Sequence, residues 1–279
     1  MVDFIKMVIK DCDQKLLDAH PDLEFIGSYF CDTGELLNVR KARYRNLDFI
    51  IYDSGLLIVK GSLHKYKNQG IHNYDDFTYH DLLTVLDDIS KRFGLPLNKC
   101  ILRNCEVGVN IEPPLPTNIV LESLLTHKQT VFKDVSVKRG FYKQAFHHQY
   151  LVKVYDKSMQ YGLKNACLRF ELKFTRMEIL NKNGVVTLDD LRSKERLQCI
   201  GNLLTNEWNN ILLYEHSNLR NPTKRELKWK DPYYWQRLKK QHRYREKLRY
   251  KRYVHSFTGQ NHLSLAMKIE KRYSCLINS

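Results

Sequence analysis

The sequence predicts an α+β fold, in which an antiparallel sheet is flanked by helices and followed by a basic helical C-terminal segment. Short β-like runs recur up to about residue 175, and stretches with helical spacing separate them. Lysine and arginine then concentrate after residue 220. With 43% hydrophobic and 28% charged residues in 279, the chain has the composition of an ordinary globular protein.

The first predicted elements are a helix and a β-hairpin. Apolar residues recur at every fourth position from Phe4 to Leu16, which fits one face of a helix. Two β-like runs follow at residues 47–52 and 56–60. The Asp-Ser-Gly sequence between them is typical of a tight hairpin turn.

The middle of the chain predicts two helices around a strand. Residues 79–93 form an amphipathic pattern that Gly94 closes, and residues 101–111 read as a strand. Thr117 is a candidate cap for a helix that continues to about residue 127.

Two more strands and a helix complete the predicted core. Residues 150–156 and 168–174 are the strands, and the second alternates apolar and polar residues as a sheet with one covered face requires. Residues 187–216 are predicted to be helical.

The net charge of +15 is concentrated in one segment. Residues 220–279 hold 17 Lys and Arg against 4 Asp and Glu, whereas residues 1–219 hold 29 against 27. We therefore predict a core domain at residues 1–219 and a nucleic-acid-binding segment at residues 220–279, because clustered cations release counterions from phosphates and aromatic rings stack on unpaired bases. The predicted nucleic-acid-binding residues are Arg225, Lys228, Lys230, Trp235, Arg237, Lys239, Lys240, Arg243, Arg245, Lys247, Arg249, Lys251 and Arg252.

The alternative for this segment is a solvated helix whose aromatic residues pack on the core. A net charge of +11 over residues 220–252 favours contact with a polyanion. Acidic lipid is a weaker alternative, because the aromatic residues do not segregate opposite the charges.

Composition also predicts where the protein acts. The seven cysteines are scattered without any Cys-x-x-Cys spacing, which favours free thiols in a reducing compartment. No apolar run approaches the roughly 20 residues of a spanning helix, and the N-terminus lacks the layout of a signal peptide. A cytoplasmic protein without membrane partners is the prediction.

Polar residues line two of the predicted strands. In the earlier strand Glu106 and Asn110 share one face by alternation, and in the later strand Arg169 and Glu171 do so. Carboxylates brought together on a sheet can hold Mg²⁺ or Mn²⁺, and such an ion can polarise a scissile phosphate. The same residues fit cross-strand ion pairs on a solvated face, which spacing alone slightly favours.

These strands resemble those of the replication initiators of rolling-circle plasmids and filamentous-type phages. Residues 103–110, 155–157 and 169–171 follow one another as the short motifs of that family do. Residues 61–66, with the sequence Gly-Ser-Leu-His-Lys-Tyr, are similar to an early segment of the phage-type members. The resemblance covers about residues 55–175, and the order of the motifs supports it more than any one motif.

The resemblance implies a metal-dependent DNA nickase, in which a tyrosine attacks one phosphodiester and stays joined to the 5′ phosphate. It implies Tyr150 as the nucleophile with Lys153, because Tyr-x-x-Lys spacing occurs in related nickases. Tyr161 and Tyr214 remain alternatives, since those nickases usually place the tyrosine on a helix and Tyr150 falls on a predicted strand.

The resemblance also implies a site for Mg²⁺ or Mn²⁺. Its ligands are expected to be Glu106, Glu171, Asp156 and His64. The sequence has no His-x-His pair, a spacing that brings two ligands to one ion, and no glycine-rich phosphate loop, so ATP-driven chemistry is not expected.

Two functions are predicted as alternatives. In the first, the protein is a replication initiator that nicks DNA and holds it with the basic segment. In the second, it binds DNA or RNA without catalysis on the same scaffold, for example as a phage-encoded inhibitor of an RNA-guided defence complex. A protein partner in a replication or defence complex is a further prediction, and a purely structural protein that binds an acidic protein surface is a third option.

Overall fold

The computed structural model describes residues 1–10, 12–29, 31–137, 140–215, 223–256 and 260–279. The strands are β1 (Val2–Ile9), β2 (Ile26–Tyr29), β3 (Leu36–Tyr44), β4 (Leu47–Tyr52), β5 (Leu57–Ser62), β6 (Ile101–Ile111), β7 (Leu124–His127), β8 (Thr130–Val131), β9 (Lys133–Ser136), β10 (Phe141–Phe146), β11 (Tyr150–Asp156), β12 (Leu168–Phe174) and β13 (Ile211–Leu213). The helices are α1 (Gln14–Asp18), α2 (Leu63–Lys67), α3 (Tyr79–Phe93), α4 (Thr117–Ser123), α5 (Lys157–Tyr161), α6 (Glu178–Lys182), α7 (Lys194–Asn209), α8 (Lys224–Trp229), α9 (Pro232–Arg237), α10 (Lys240–His255) and α11 (Asn261–Asn278). The predicted α+β class is confirmed.

The chain forms two compact units. Unit 1 comprises Met1–Gly108, Lys173–Ile200 and Ser274–Ser279, and unit 2 comprises Val109–Leu172 and Gly201–Tyr273. The predicted boundary between residues 219 and 220 lies outside the described residues. Among the residues that are described, no helix is both long and apolar enough to cross a bilayer.

Unit 1 contains strands in the order β2-β3-β4-β5-β1-β6. The predicted hairpin is confirmed, since β4 and β5 pair antiparallel and the Tyr52 N–H donates to the Leu56 carbonyl at 2.9 Å. Gly55 occupies the turn with φ of 81°, a conformation that L side chains rarely adopt. The sequence therefore specifies this turn locally.

Helix α3 is also as predicted. Thr78 and Asp81 form a capping box at its start, and Gly94 ends it in the left-handed conformation. Its apolar face is buried in unit 1, where Phe93 packs on Phe49 with ring centroids 4.7 Å apart.

The predicted N-terminal helix is wrong, because residues Val2–Ile9 form a strand that pairs with β5 and β6. A four-residue spacing is also a multiple of the two-residue period of a strand, so Phe4 and Val8 share a strand face as well. The fully buried face is the other one, which holds Ile5 and Met7. Only α1 is helical in this region, and Asp13 caps it.

Unit 2 contains strands in the order β12-β11-β10-β9 and a small sheet in the order β13-β7-β8. Its aromatic core includes Trp229, Trp235 and Tyr250, packed with Leu125 and Leu212. The basic segment therefore contributes core residues to this unit.

Two predicted helices extend too far. Helix α4 ends at Ser123, and the next residues form β7, which pairs with β13. Of the predicted helix at residues 187–216, only Lys194–Asn209 is α-helical, as α7. Ile211 and Leu212 belong to β13, and residue 216 lies outside the described residues. Pro116, not Thr117, holds the N-cap position of α4, and the Thr117 hydroxyl donates to Asp156 instead.

The basic segment is helical, but it is divided into α8, α9 and α10. Pro232 opens α9 with Asp231 as its cap, as the sequence predicts. Leu238 then adopts an extended conformation, and the Arg243 guanidinium donates to the Trp235 carbonyl at 3.0 Å. This side-chain contact stabilises the break between α9 and α10, which contains neither glycine nor proline.

Candidate functional site

Tyr150, the predicted nucleophile, is buried at the centre of a polar cluster in unit 2. Its hydroxyl donates to Glu207 Oε2 at 2.5 Å and accepts from Lys128 Nζ at 2.7 Å. Lys128 also pairs with Glu207 at 2.9 Å. Strand β11, helix α7 and the turn after β7 supply these residues, which we call the Tyr150 centre together with His127 and His147.

The two acidic groups of the Tyr150 centre have strongly shifted pKa values. Burial alone would raise the pKa of Glu207, but hydrogen bonds from His127, Tyr150 and Lys128 outweigh it and lower the pKa to about 2. Burial, aided by the Glu207 carboxylate, raises the pKa of Tyr150 well above its usual value. At neutral pH the centre therefore holds a carboxylate that accepts a hydrogen bond from a neutral phenol.

The histidines extend this network. His127 Nε2 lies 3.0 Å from Glu207 Oε2, and His127 Nδ1 lies 2.6 Å from His147 Nε2. Burial, with His127 and Lys128 nearby, lowers the pKa of His147 to about 4. Its ring stacks on Tyr150 with centroids 5.0 Å apart.

Lys153, the other residue of the Tyr-x-x-Lys spacing, lies on β11 with Tyr150. Residues three apart on a strand point to opposite faces, and Lys153 pairs instead with Glu171 at 3.3 Å. Lys128 holds the position beside the phenol. Sequence reasoning missed Lys128, His127 and Glu207, because they lie up to 80 residues apart and no motif joins them.

The alternative tyrosines lie elsewhere in unit 2. Tyr161 ends α5, where its ring is 5.3 Å from Lys157 Nζ. Tyr214 follows β13, and its backbone N–H donates to the Ser123 carbonyl at 2.7 Å.

Residues of the three resemblance motifs converge in unit 2. Arg169 Nε donates to Glu171 Oε2 at 2.7 Å, and Arg169 Nη1 donates to Asn110 Oδ1 at 3.1 Å. The Tyr155 hydroxyl donates to the same Glu171 oxygen at 3.3 Å. We call these residues, with Lys153, the Arg169 centre.

The Arg169 centre is buried rather than solvated. Arg169 and Glu171 are 2% and 3% exposed, and Lys157, which lies beside Tyr155, is also buried. The expected cross-strand Lys–Glu pair forms between Lys153 and Glu171, whereas Arg169 pairs with Glu171 within the same strand. The expected solvated face is wrong for this strand. Buried charges destabilise a fold unless each one is paired, so the burial of Arg169 and Glu171 depends on these contacts.

The four predicted metal ligands are divided between the units and have other partners. In unit 1, Glu106 pairs with Lys173 at 2.6 Å. In unit 2, Glu171 binds Arg169, and Asp156 caps α5 by accepting from the Met159 N–H at 2.8 Å.

His64, the fourth predicted ligand, is buried in unit 1. Its Nε2 lies 2.6 Å from Asp75 Oδ1, and burial lowers the pKa of His64 to about 4 against the attraction of Asp3. No three His, Cys, Asp or Glu side chains are grouped to hold a metal ion anywhere in the described ranges. The implied ligand set therefore does not fit an ion in this arrangement.

Helix α10 carries one exposed cationic face in unit 2. Its buried side is anchored by Tyr250, which donates to the Leu213 carbonyl at 2.9 Å, and by Glu246, which accepts from Trp229 Nε1 at 2.8 Å. The exposed side presents Arg245, Arg252 and the ring of Tyr244, which is 66% exposed.

The predicted nucleic-acid-binding residues differ in how accessible they are. The prediction that Trp235 binds nucleic acid is wrong. Trp235 is 1% exposed and its Nε1 donates to the Trp229 carbonyl, so no base can stack on it. Arg243 holds the α9–α10 break, and burial with its cationic neighbours lowers the pKa of Lys247. The predicted residues that are exposed are Arg225, Lys228, Lys230, Arg237, Lys239, Lys240, Arg245, Arg249, Lys251 and Arg252.

Several exposed cations lack an acidic neighbour. Arg225 and Arg249 share Glu246 at 3.8 and 3.1 Å, and Arg237 pairs with Asp231 at 3.4 Å. The remaining seven form no ion pair with any residue that the structure describes. The exposed part of the basic segment consequently carries positive charge that no described neighbouring carboxylate neutralises.

Among solved structures, one replication initiator is similar to this chain over nearly its whole length. The chain is similar to the structure of a rolling circle replication initiator protein from Geobacillus stearothermophilus, with 10% sequence identity and a TM-score of 0.49. The alignment covers 97% of this chain and 96% of that one. No protein-family model and no curated protein matches the sequence.

Proposed function

We propose that this protein binds nucleic acid through the exposed cationic face of α10 and acts as a replication initiator of the rolling-circle type. The observation that carries the binding is the division of α10 into a buried side, fixed by Tyr250 and Glu246, and a side of unpaired cations. Cations on a rigid helix bind a phosphodiester backbone by displacing its counterions. The order of the strand motifs supports the assignment to initiators.

The test is a charge-removing variant with a matched control. We expect Arg245→Gln, Lys251→Gln and Arg252→Gln together to weaken DNA binding by roughly 10- to 100-fold at low salt. None of these residues forms an ion pair with a described residue, so the fold is retained. The control removes three exposed lysines of unit 1, Lys10, Lys15 and Lys99, and leaves binding unchanged. Equal affinities for the two triple variants would contradict the proposal.

Catalysis is a second proposal, favoured by the contacts of the Tyr150 hydroxyl. Glu207 accepts the phenolic proton as the Tyr150 oxygen attacks phosphorus, and Lys128 stabilises the negative charge that develops on that oxygen. The bond from phosphorus to the 3′ oxygen breaks, and that oxygen takes a proton from water. The 5′ phosphate stays joined to Tyr150, conserving the bond energy for rejoining.

This chemistry sets two requirements. Tyr150 is 6% exposed, so DNA must reach one edge of its ring, and the raised pKa means that proton transfer accompanies attack. No step is assigned to a metal ion, because Glu106, Glu171, Asp156 and His64 have other partners.

A nicking assay separates the initiator from a non-catalytic binder. We expect supercoiled DNA bearing the cognate origin to form an SDS-resistant protein–DNA adduct with Mg²⁺ or Mn²⁺ present. Tyr150→Phe should abolish the adduct and Glu207→Gln should slow it by about 100-fold or more, whereas Tyr161→Phe and Tyr214→Phe should retain it. An adduct that survives Tyr150→Phe would exclude this nucleophile, and tight RNA binding without any adduct would favour the non-catalytic alternative.

A further inference from the structure

Unit 2 contains a groove whose walls hold two exposed aromatic rings. Its volume is about 680 Å³, and its lining residues are Thr130, Val131, Lys133, Phe146, Tyr233 and Gln236. Phe146 is 53% exposed and Tyr233 is 56% exposed. Large rings left in water at a concave surface mark sites of recognition more often than isolated apolar residues do.

Both rings are carried by well-anchored elements. Phe146 ends β10, where it pairs with Leu151 of β11 and follows the fully buried Ala145. Tyr233 lies in the first turn of α9, and the buried Trp235 fixes that helix through its hydrogen bond to the Trp229 carbonyl at 2.8 Å. The rings are therefore presented by rigid structure, which reduces the entropy lost when a ligand binds.

Cationic residues lie on the groove wall and close in sequence to the residues that line it. The carboxylates of Asp134 and Asp231 are already paired, with Lys143 at 2.7 Å and with Arg237 at 3.4 Å. By contrast, Lys133, on the groove wall, and Lys239 and Lys240, which follow α9, are exposed and form no ion pair with a described residue. A groove with exposed aromatic rings and nearby lysines suits a ligand that has flat rings and a negatively charged backbone.

We propose that this groove binds an unpaired base of a single-stranded nucleic acid, stacked against Phe146 and Tyr233. The Gln236 amide and the Thr130 hydroxyl supply donors and acceptors for the base edge, and Lys133 contacts an adjacent phosphate. This inference rests on the proposed nucleic-acid binding and adds to it a site for unpaired strands, distinct from the face of α10. Such a site lets the protein hold a locally melted region.

The experiment compares single-stranded and duplex oligonucleotides of equal length by fluorescence anisotropy. Phe146→Ala and Tyr233→Ala should each weaken binding of the single strand by about 5- to 150-fold, the range for loss of one stacked base. Duplex binding should stay within about twofold, because the phosphate contacts of α10 remain. Phe146→Leu should weaken binding as much as Phe146→Ala, since it keeps apolar surface but removes the ring.

The control is Tyr29→Ala, which removes an exposed ring from β2 in unit 1 and should change neither affinity. A 2-aminopurine base in the single strand should be quenched by the unmodified protein and recover with the Phe146→Ala, Tyr233→Ala double variant. Unchanged single-strand affinity in the double variant, with duplex binding intact, would overturn the groove and leave the proposed function standing. A protein that binds neither oligonucleotide would overturn both.

Discussion

At the scale of single residues, two histidines make the stability of the fold sensitive to acid. His64 and His147 both have their pKa values lowered to about 4, in each case chiefly by burial. In the unfolded chain a histidine takes up its proton near pH 6.5. Between about pH 6.5 and pH 4 the unfolded state therefore binds more protons, so stability falls as the pH falls.

The predicted loss of stability at low pH can be tested at His64. The shift from the ordinary value to about 4 is worth up to about 3 kcal/mol of folding free energy, present above pH 6.5 and lost by pH 4. We expect His64→Gln to flatten the dependence of the unfolding free energy on pH, measured by urea denaturation between pH 7 and pH 4.5. The exposed His242→Gln serves as the control and should leave the slope unchanged. A slope identical to that of the natural protein in His64→Gln would contradict this origin of the acid response.

Single residues also show where sequence reasoning ends. A short motif points to Tyr150, but its partners Glu207 and His127 belong to elements that meet only through the tertiary fold. In the sequence Trp235 is surrounded by basic residues, as a base-stacking ring would be. In the structure the break before α10 directs its side chain into the core. Burial, which decides between these roles, is a property of packing rather than of spacing.

At the scale of elements, Gly201 of α7 lies close to Tyr273 of α11 within unit 2. A Cβ atom added at Gly201 would overlap the ring of the buried Tyr273, lying 2.6 Å from Cε1. The close approach thus depends on the absence of a side chain in the middle of α7. Glu215 fixes the start of α11, since it accepts from the Asn261 and His262 N–H groups at 3.2 and 2.8 Å.

We expect Gly201→Ala to destabilise the protein by about 1–3 kcal/mol, the usual cost of overpacking. Alanine favours a helix by about 1 kcal/mol over glycine, so intrinsic propensity alone would give the opposite sign. Thermal unfolding decides between the two effects. Cys199→Ala, at an exposed position of the same helix, is the control and should change the melting temperature little. A rise in melting temperature for Gly201→Ala would contradict the packing described.

The elements that could be predicted are those with local signals. The capping box and the Gly94 end of α3 depend on residues close together in the sequence, and so does the turn at Gly55. The first strand could not be separated from a helix, because its apolar spacing fits both periods. The end of α4 depends on pairing between β7 and β13, which are more than 80 residues apart.

At the scale of the whole molecule, charge is distributed unevenly, and this distribution motivates the proposed function. Residues 220–279 carry an excess of 13 positive charges, against 2 for residues 1–219. The structure uses part of that segment, including Trp229 and Tyr250, to build the core of unit 2, and leaves cations on the outer face of α10. A helix fixed on one side and charged on the other is suited to bind an extended polyanion.

The most direct test of this claim is the salt dependence of DNA binding, measured between about 50 and 200 mM salt. For the natural protein we expect the logarithm of the association constant to fall linearly with the logarithm of the salt concentration. Removing Arg245, Lys251 and Arg252 should make that slope shallower by roughly 2 to 3, about one for each phosphate that the variant no longer neutralises. An unchanged slope in the triple variant, or no binding by the natural protein at the lowest salt, would contradict a phosphate-binding face on α10.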